Sequence, residues 1–302
     1  MRKGTKKLEL FLDRFLSEKV KEKTDRIILI VSIVSYLLHL LVIFLNLQGV
    51  IEIDQKFFKN PIAAIYTPFS FILLYEVYLL VYFLPKSITI YIGKQYEIIT
   101  LIVIRRIFKD IAYVELTSDW FQDQNDLQFT FDALTSLILF FLIYLFYKNI
   151  KKRSYQSISQ VNKRGANIRR FVLLKKTLAV LLIPVLCLLA AYTFINWSIT
   201  MWMDYSSGII EFTKVNNIFF NEFFTILIIV DVLLLLSSFF YSHRFHKIIR
   251  NSGFIISTIL IKTSFSSFGL ISNVLIISAV LFGYLMLLIH NLYEKDNIEA
   301  ES

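Results

Sequence analysis

Six ionisable residues lie inside or beside long apolar runs of this chain: Glu76, Arg105, Arg106, Lys109, Asp231 and Lys262. A charged side chain near the middle of a bilayer costs about 3 kcal/mol or more, so it normally faces the interior of a helix bundle and has a partner. Acids and bases in this setting mark routes for ions or protons, or they hold helices together. The chemistry that these residue types predict is therefore the binding and movement of charge.

The composition predicts that these charges lie in a membrane. The chain has 302 residues and is 56% hydrophobic, with a mean hydropathy of +0.63, whereas soluble domains are about 45–50% apolar. Six apolar runs are long enough to span a bilayer as helices, and two further segments are apolar but carry charge. The six runs are 27–48, 62–84, 132–149, 173–198, 217–241 and 270–290, and the two charged segments are 88–112 and 252–268.

The distribution of cations predicts the orientation of the chain. Residues 1–26 carry nine Lys or Arg and residues 148–176 carry ten, whereas the acidic segment 113–131 carries none. Cytoplasmic loops are rich in Lys and Arg, so the amino terminus and the 148–176 linker are expected inside and 113–131 outside. Segment 88–112 must then cross the membrane. The competing interpretation, in which this segment lies flat on the inner surface, would place the ten-cation linker outside and is disfavoured.

The two halves of the chain resemble each other. EIITLIVIRRIFKDIAY (97–113) aligns without gaps with FIISTILIKTSFSSFGL (254–270), and Arg105 then falls on Lys262. An acid precedes each segment, Glu76 in the first half and Asp231 in the second. This pattern predicts an all-α polytopic membrane protein with about eight transmembrane helices, arranged as two tandem four-helix units. Seven spans with the carboxyl terminus outside is the alternative.

The predicted domain organisation follows from these segments. It comprises an amphipathic cytoplasmic helix, a first four-helix unit, a basic cytoplasmic linker, a second four-helix unit and an acidic tail, at residues 1–23, 24–149, 150–169, 170–293 and 294–302.

The depth of each charge along its helix predicts two ion pairs within the membrane, Glu76–Arg105 and Asp231–Lys262. Arg105 is expected near mid-bilayer, about 16 Å beyond Lys94 at 1.5 Å per residue. Arg106 points about 100° away from Arg105, and Lys109 lies one turn above Arg105 on the same face. These residues are expected to line or gate a polar path; in the alternative interpretation they only hold helices together.

Other kinds of site have little support in the sequence. No glycine-rich phosphate loop, GxSxG, HExxH or CxxC motif occurs, so neither an enzyme activity nor a cofactor is predicted. No metal site is predicted either: the single cysteine, Cys187, cannot form a cysteine-metal site. Asp119, Asp123 and Asp126 lack the spacing of a calcium loop and predict a solvated loop.

The functional hypothesis is a channel or secondary transporter for a small ion in the plasma (inner) membrane. An anion or a proton-coupled solute is preferred because cations outnumber acids in the spans. The alternative is a non-transporting sensor or scaffold subunit that recruits a partner through its basic cytoplasmic face. The expected partners are the bilayer and anionic lipids of its inner leaflet, and not nucleic acid; a homo-oligomer or a partner subunit in the membrane is left open.

Overall fold

The structure, a computed structural model, describes residues 13–14, 16–51, 61–111, 124–157, 166–203, 212–239, 245–267 and 269–301. The regular elements of these ranges are all helical. In chain order they are α1 (Glu18–Leu47), a 3-10 helix (Pro61–Ile65), α2 (Tyr66–Phe83), α3 (Ile88–Asp110), α4 (Gln124–Ser157), α5 (Ala166–Met203), α6 (Phe212–Phe239), α7 (Phe245–Phe265) and α8 (Gly269–Glu301).

Each of the eight segments singled out in the sequence overlaps one of these helices. Several helices are longer than expected, because polar residues extend the apolar cores as regular helix. Helix α4 continues to Ser157 and α5 begins at Ala166, so only 158–165 of the predicted linker lies between them. Helix α8 continues to Glu301 through most of the predicted acidic tail. Residues 1–12 of the predicted amphipathic helix lie outside the described residues.

Among the described residues, five helices are long and apolar enough to cross a membrane: α1, α4, α5, α6 and α8. The distribution of residues on helix α1 indicates an apolar surrounding medium. Its buried residues are Ser32, His39 and Ile43, while Leu29 and Leu37 on its outer face are both 58% exposed. His39 Nδ1 lies 2.6 Å from Thr67 Oγ1. Polar groups inside and leucines outside suit a helix in lipid, so the chain is an all-helical, membrane-embedded protein.

The chain divides into two compact units. Unit 1 comprises Met1–Phe83 and Ile90–Tyr144, and unit 2 comprises Leu84–Thr89 and Leu145–Ser302. In unit 1, α1 packs along α2, and Tyr82 Oη donates a 2.9 Å hydrogen bond to Glu18 Oε2 near the start of α1. Phe69 on α2 and Phe108 on α3 stack with their ring centroids 4.8 Å apart. These contacts hold α1, α2 and α3 beside one another.

In unit 2, successive helices from α5 to α8 pack against one another, and α7 and α8 approach most closely through small residues. Gly253 and Ser257 are spaced four apart on α7, as Ala279 and Gly283 are on α8. Ser257 Oγ donates a 2.6 Å hydrogen bond to the Ala279 carbonyl oxygen. Small residues at this spacing let helix backbones approach in a membrane, which fixes the α7–α8 hairpin.

Candidate functional site

The adjacent arginines of α3 lie in a buried polar cluster of unit 1. Arg105 is 4% exposed. Arg106 Nε lies 3.3 Å from Asp132 Oδ2, and the Asp132 side chain is 0% exposed. Gln128 Nε2 donates a 2.8 Å hydrogen bond to Asp132 Oδ1. The acid that meets Arg106 is therefore on α4, and sequence reasoning missed it because Asp132 stands at the start of an apolar run.

The predicted Glu76–Arg105 ion pair is not formed in the part of the chain that the structure describes. The charges that act on Glu76 are those of Lys94, Glu97 and Asp25. Lys94 is ion-paired with Glu97, and its Nζ lies 5.3 Å from the centroid of the Phe83 ring. Glu76 thus faces the first basic residue of α3.

The start of α3 explains this correction. Helix α3 begins at Ile88, so Lys94 already lies about 9 Å along it at 1.5 Å per residue. Glu76 lies about 10 Å from the end of α2, at a matching height. Arg105 lies about 26 Å along α3, near its other end. The depth count made from the sequence treated Lys94 as the start of the helix.

Unit 2 contains a second set of buried charges, on α5, α6 and α7. Lys175, Asp231 and Arg250 are 4%, 7% and 8% exposed. Lys175 lies within electrostatic range of both Asp231 and Arg250. Its Nζ donates a 3.1 Å hydrogen bond to the Lys86 carbonyl oxygen and lies 5.1 Å from the centroid of the Phe171 ring. Sequence analysis assigned Lys175 to the cytoplasmic linker, but it belongs to the interior of the unit.

The predicted Asp231–Lys262 ion pair is likewise not formed among the described residues. Asp231 is eight residues before the end of α6, about 12 Å, and Arg250 is five residues into α7, about 8 Å. Lys262 is about 26 Å into α7, near its far end. In each half, therefore, the early basic residue of a helix, and not the later one, lies at the height of the preceding acid.

A histidine cluster joins the start of α7 to the final turns of α8; we use this name for His246, Lys247, Arg250, His290 and Glu294. Arg250 Nη1 donates a 2.8 Å hydrogen bond to His290 Nε2, and His290 is 2% exposed. Glu294 Oε1 lies 3.6 Å from His290 Nε2, 3.9 Å from His246 Nε2 and 4.0 Å from Lys247 Nζ. The two imidazole rings stack with centroids 5.1 Å apart.

Arg250 is held firmly in this cluster. Its Nε and Nη2 donate hydrogen bonds of 3.2 Å and 2.9 Å to Asn251 Oδ1. Its guanidinium carbon lies 5.9 Å from the centroid of the Phe254 ring. Contacts other than the one with His290 therefore also hold the guanidinium group in place.

The same cluster contains a set of atoms that resembles a metal site. One atom each from His246, His290 and Glu294 lie within 4.8 Å of one another, and such a set suits Zn²⁺. Arg250, however, donates directly to His290 Nε2, and Lys247 lies against Glu294. Two fixed positive charges would repel a divalent cation. The residues do not fit a metal, because the arginine already supplies the cation of the site.

The other predicted positions are less informative. The backbone of Lys109 belongs to α3, and its side chain lies outside what the structure describes. Asp126 is 1% exposed in the first turn of α4, so the prediction that it is solvated is wrong. Asp119 and Asp123 lie outside the described residues. The histidine cluster was missed, although His246 and Arg250 are four residues apart, as are His290 and Glu294, and each pair therefore shares one helix face.

Comparison with known protein families, curated proteins and solved structures gave no match for this chain.

Proposed function

We propose that this protein is a channel or secondary transporter for a small ion, with a proton-coupled solute or an anion preferred. The observation that supports this proposal is the set Lys175, Asp231, Arg250 and His290 in unit 2. These four ionisable residues come from four different helices, α5 to α8, and each is 8% exposed or less.

The free-energy cost of burying these ionisable residues indicates that they have a functional role. Each charge held in the bilayer core costs about 3 kcal/mol or more. Helix packing alone does not require it, because well-packed apolar residues replace buried ion pairs with little loss. Carboxylates and histidines that follow one another through a membrane form proton relays. Asp231 and His290 have the titratable side chains that such a relay uses, and the cations Lys175 and Arg250 would attract an anion.

Unit 1 supplies the second part of the proposal. The ion pair of Arg106 with Asp132 and the approach of Lys94 to within electrostatic range of Glu76 lie at two different heights along α3. Arg105 and Lys109 stay candidates for lining a route within unit 1, while Lys262 lies away from the charges of unit 2 named above. The proposed setting keeps eight spans in two four-helix units, an internal repeat, and a cytoplasmic amino terminus in the plasma (inner) membrane.

The proposal is tested by neutralising Asp231 in purified protein reconstituted into liposomes. Asp231→Asn keeps the size of the side chain and removes the charge, so we expect proton or anion flux to fall at least about tenfold, the effect of about 1.4 kcal/mol on a barrier. The matched control is Glu222→Gln, which removes an exposed carboxylate from the same helix and should leave flux unchanged. Wild-type flux in a folded Asp231→Asn protein would overturn the proposal.

A non-transporting scaffold or sensor subunit is the second candidate, and α1 favours it. Only Ser32, His39 and Ile43 of this 30-residue helix are buried, so most of its apolar surface is open to lipid or to a partner helix. This candidate predicts no flux in liposomes and co-purification of a membrane partner, which Leu37→Ala with Leu41→Ala on α1 would weaken.

A further inference from the structure

We propose that the histidine cluster is a pH-operated contact that closes the start of α7 onto the last turns of α8 and releases it in acid. The closed form is the one in the structure, with His290 neutral and bonded to Arg250. This inference concerns the conformation of unit 2 and does not depend on transport, so it is tested by distances and not by flux.

The hydrogen bond between Arg250 and His290 assigns the proton on His290. A guanidinium group has only donors, so His290 Nε2 must be the acceptor at 2.8 Å. A neutral imidazole with an accepting Nε2 carries its single proton on Nδ1. A second proton would occupy Nε2 and leave two donors facing each other. The Arg250 contact therefore exists only while His290 is neutral.

Basic side chains outnumber acidic ones around His290. Helix α7 contributes His246, Lys247 and Arg250, and α8 contributes Glu294. Lys175 of α5 lies within electrostatic range of Arg250 and of Asp231 of α6. Helix α4 approaches α8 through the uncharged Asn149, which donates to Tyr284 Oη at 3.5 Å. Glu294 is thus the one acid of the cluster.

Two protons are expected to bind in a fixed order. His246 lies 3.9 Å from Glu294 and its side chain is 12% exposed, whereas the His290 side chain is 1% exposed and already bonded to Arg250. The first proton therefore goes to His246, where it forms an ion pair with Glu294 and keeps the cluster closed. The second proton must go to His290, whose ring is stacked on His246 at 5.1 Å. It creates repulsion with His246 and Arg250 that Glu294 alone does not offset.

The direction of the pH effect follows from the number of protons that the closed and open forms bind. The closed form keeps His290 neutral, so it binds fewer protons than an open form in which His290 meets water. Lowering the pH therefore favours the open form. Once His290 is protonated in the open form, the closed-to-open ratio falls about tenfold per pH unit, the slope of a one-proton linkage. A histidine in water changes charge between about pH 5 and pH 8, so the closed form begins to lose population in that range.

Distances between spin labels test the switch in the full-length protein in lipid nanodiscs. The labels are placed at Phe245→Cys and Tyr293→Cys, which are 72% and 55% exposed, after Cys187→Ala removes the native thiol. We expect one distance at pH 8 and a second, longer distance whose share grows toward pH 5. A single distance at both pH values would overturn the proposal.

Two glutamine variants assign the effect to the correct histidine. His290→Gln keeps an acceptor for Arg250 and cannot titrate, so the longer distance should not develop at pH 5. His246→Gln leaves His290 and its contact with Arg250 in place, so the longer distance should still develop toward pH 5. Wild-type opening in His290→Gln would overturn the assignment.

Histidine NMR provides a test that does not rely on the variants folding normally. In the labelled wild-type protein the side chains of His246 and His290 should titrate in separate steps, with His246 at the higher pH. A single shared step, or His290 titrating first, would contradict the proposed order.

Discussion

Arg106 on α3 meets Asp132 on α4 with 3.3 Å between Nε and Oδ2, and the two side chains differ sharply in exposure. The acid is 0% exposed, whereas the Arg106 side chain is 27% exposed. The pair is therefore asymmetric. The Asp132 carboxylate is out of contact with solvent, so the loss of a neighbouring cation is costly for it, whereas the Arg106 side chain is partly exposed.

This asymmetry predicts that the two single substitutions have unequal costs. Arg106→Gln leaves a buried carboxylate without its cation and should lower the free energy of unfolding by about 3 kcal/mol. Asp132→Asn leaves a partly exposed arginine and keeps the shape that bonds to Gln128, so it should cost about 1 kcal/mol. Unfolding in mixed micelles measures both values.

The double variant Arg106→Gln with Asp132→Asn is the internal control. It removes the buried carboxylate together with the cation of Arg106, so it should be more stable than Arg106→Gln alone. A larger loss for Asp132→Asn than for Arg106→Gln would contradict this account of the pair.

Gly253 on α7 predicts a steric limit on the α7–α8 hairpin. A Cβ placed on this residue would lie 2.6 Å from both Cε and Cγ of Met286. The methionine is flexible, so Gly253→Ala should cost about 1 kcal/mol and Gly253→Val more, about 3 kcal/mol. Thermal unfolding of the purified protein measures the loss.

Shortening the neighbour should relieve this strain. Met286→Ala in the Gly253→Ala background makes room for the added methyl group, so the two substitutions together should cost less than the sum of the single changes. Additive costs would show that the clash is absorbed elsewhere.

The proposed membrane crossing of α3 predicts a pattern of thiol labelling that distinguishes a protein with eight spans from one with fewer. Ile104 lies on α3 next to the arginine pair. If α3 crosses the membrane, Ile104→Cys in a Cys187→Ala background should resist a membrane-impermeant thiol reagent added from either side. Lys86→Cys, an exposed position before α3, should react from one side only. Rapid labelling of Ile104→Cys would place α3 at an aqueous surface and remove the eight-span arrangement.

Much of the fold could be read from the amino-acid order. The eight segments were found because a helix that satisfies its own backbone hydrogen bonds needs only a local run of suitable residues. The all-helical class and the membrane setting followed from the same runs and from the composition. The helix ends were less predictable, since polar residues such as those of 150–157 carry no apolar signal and yet continue α4.

The charge partners were decided by tertiary structure. The acids Glu76 and Asp231 and the basic residues were all visible in the sequence, but a partner depends on where each helix begins. The depth count from the sequence began at Lys94, whereas α3 begins six residues earlier, about 9 Å. This difference places Lys94, and not Arg105, at the height of Glu76. The contact of Arg250 with His290 joins residues 40 positions apart, and no periodicity along the chain specifies it. Such a pair forms only when the helices pack, because it depends on the rotation of each helix, on the height of each residue along its helix and on the length of the side chains.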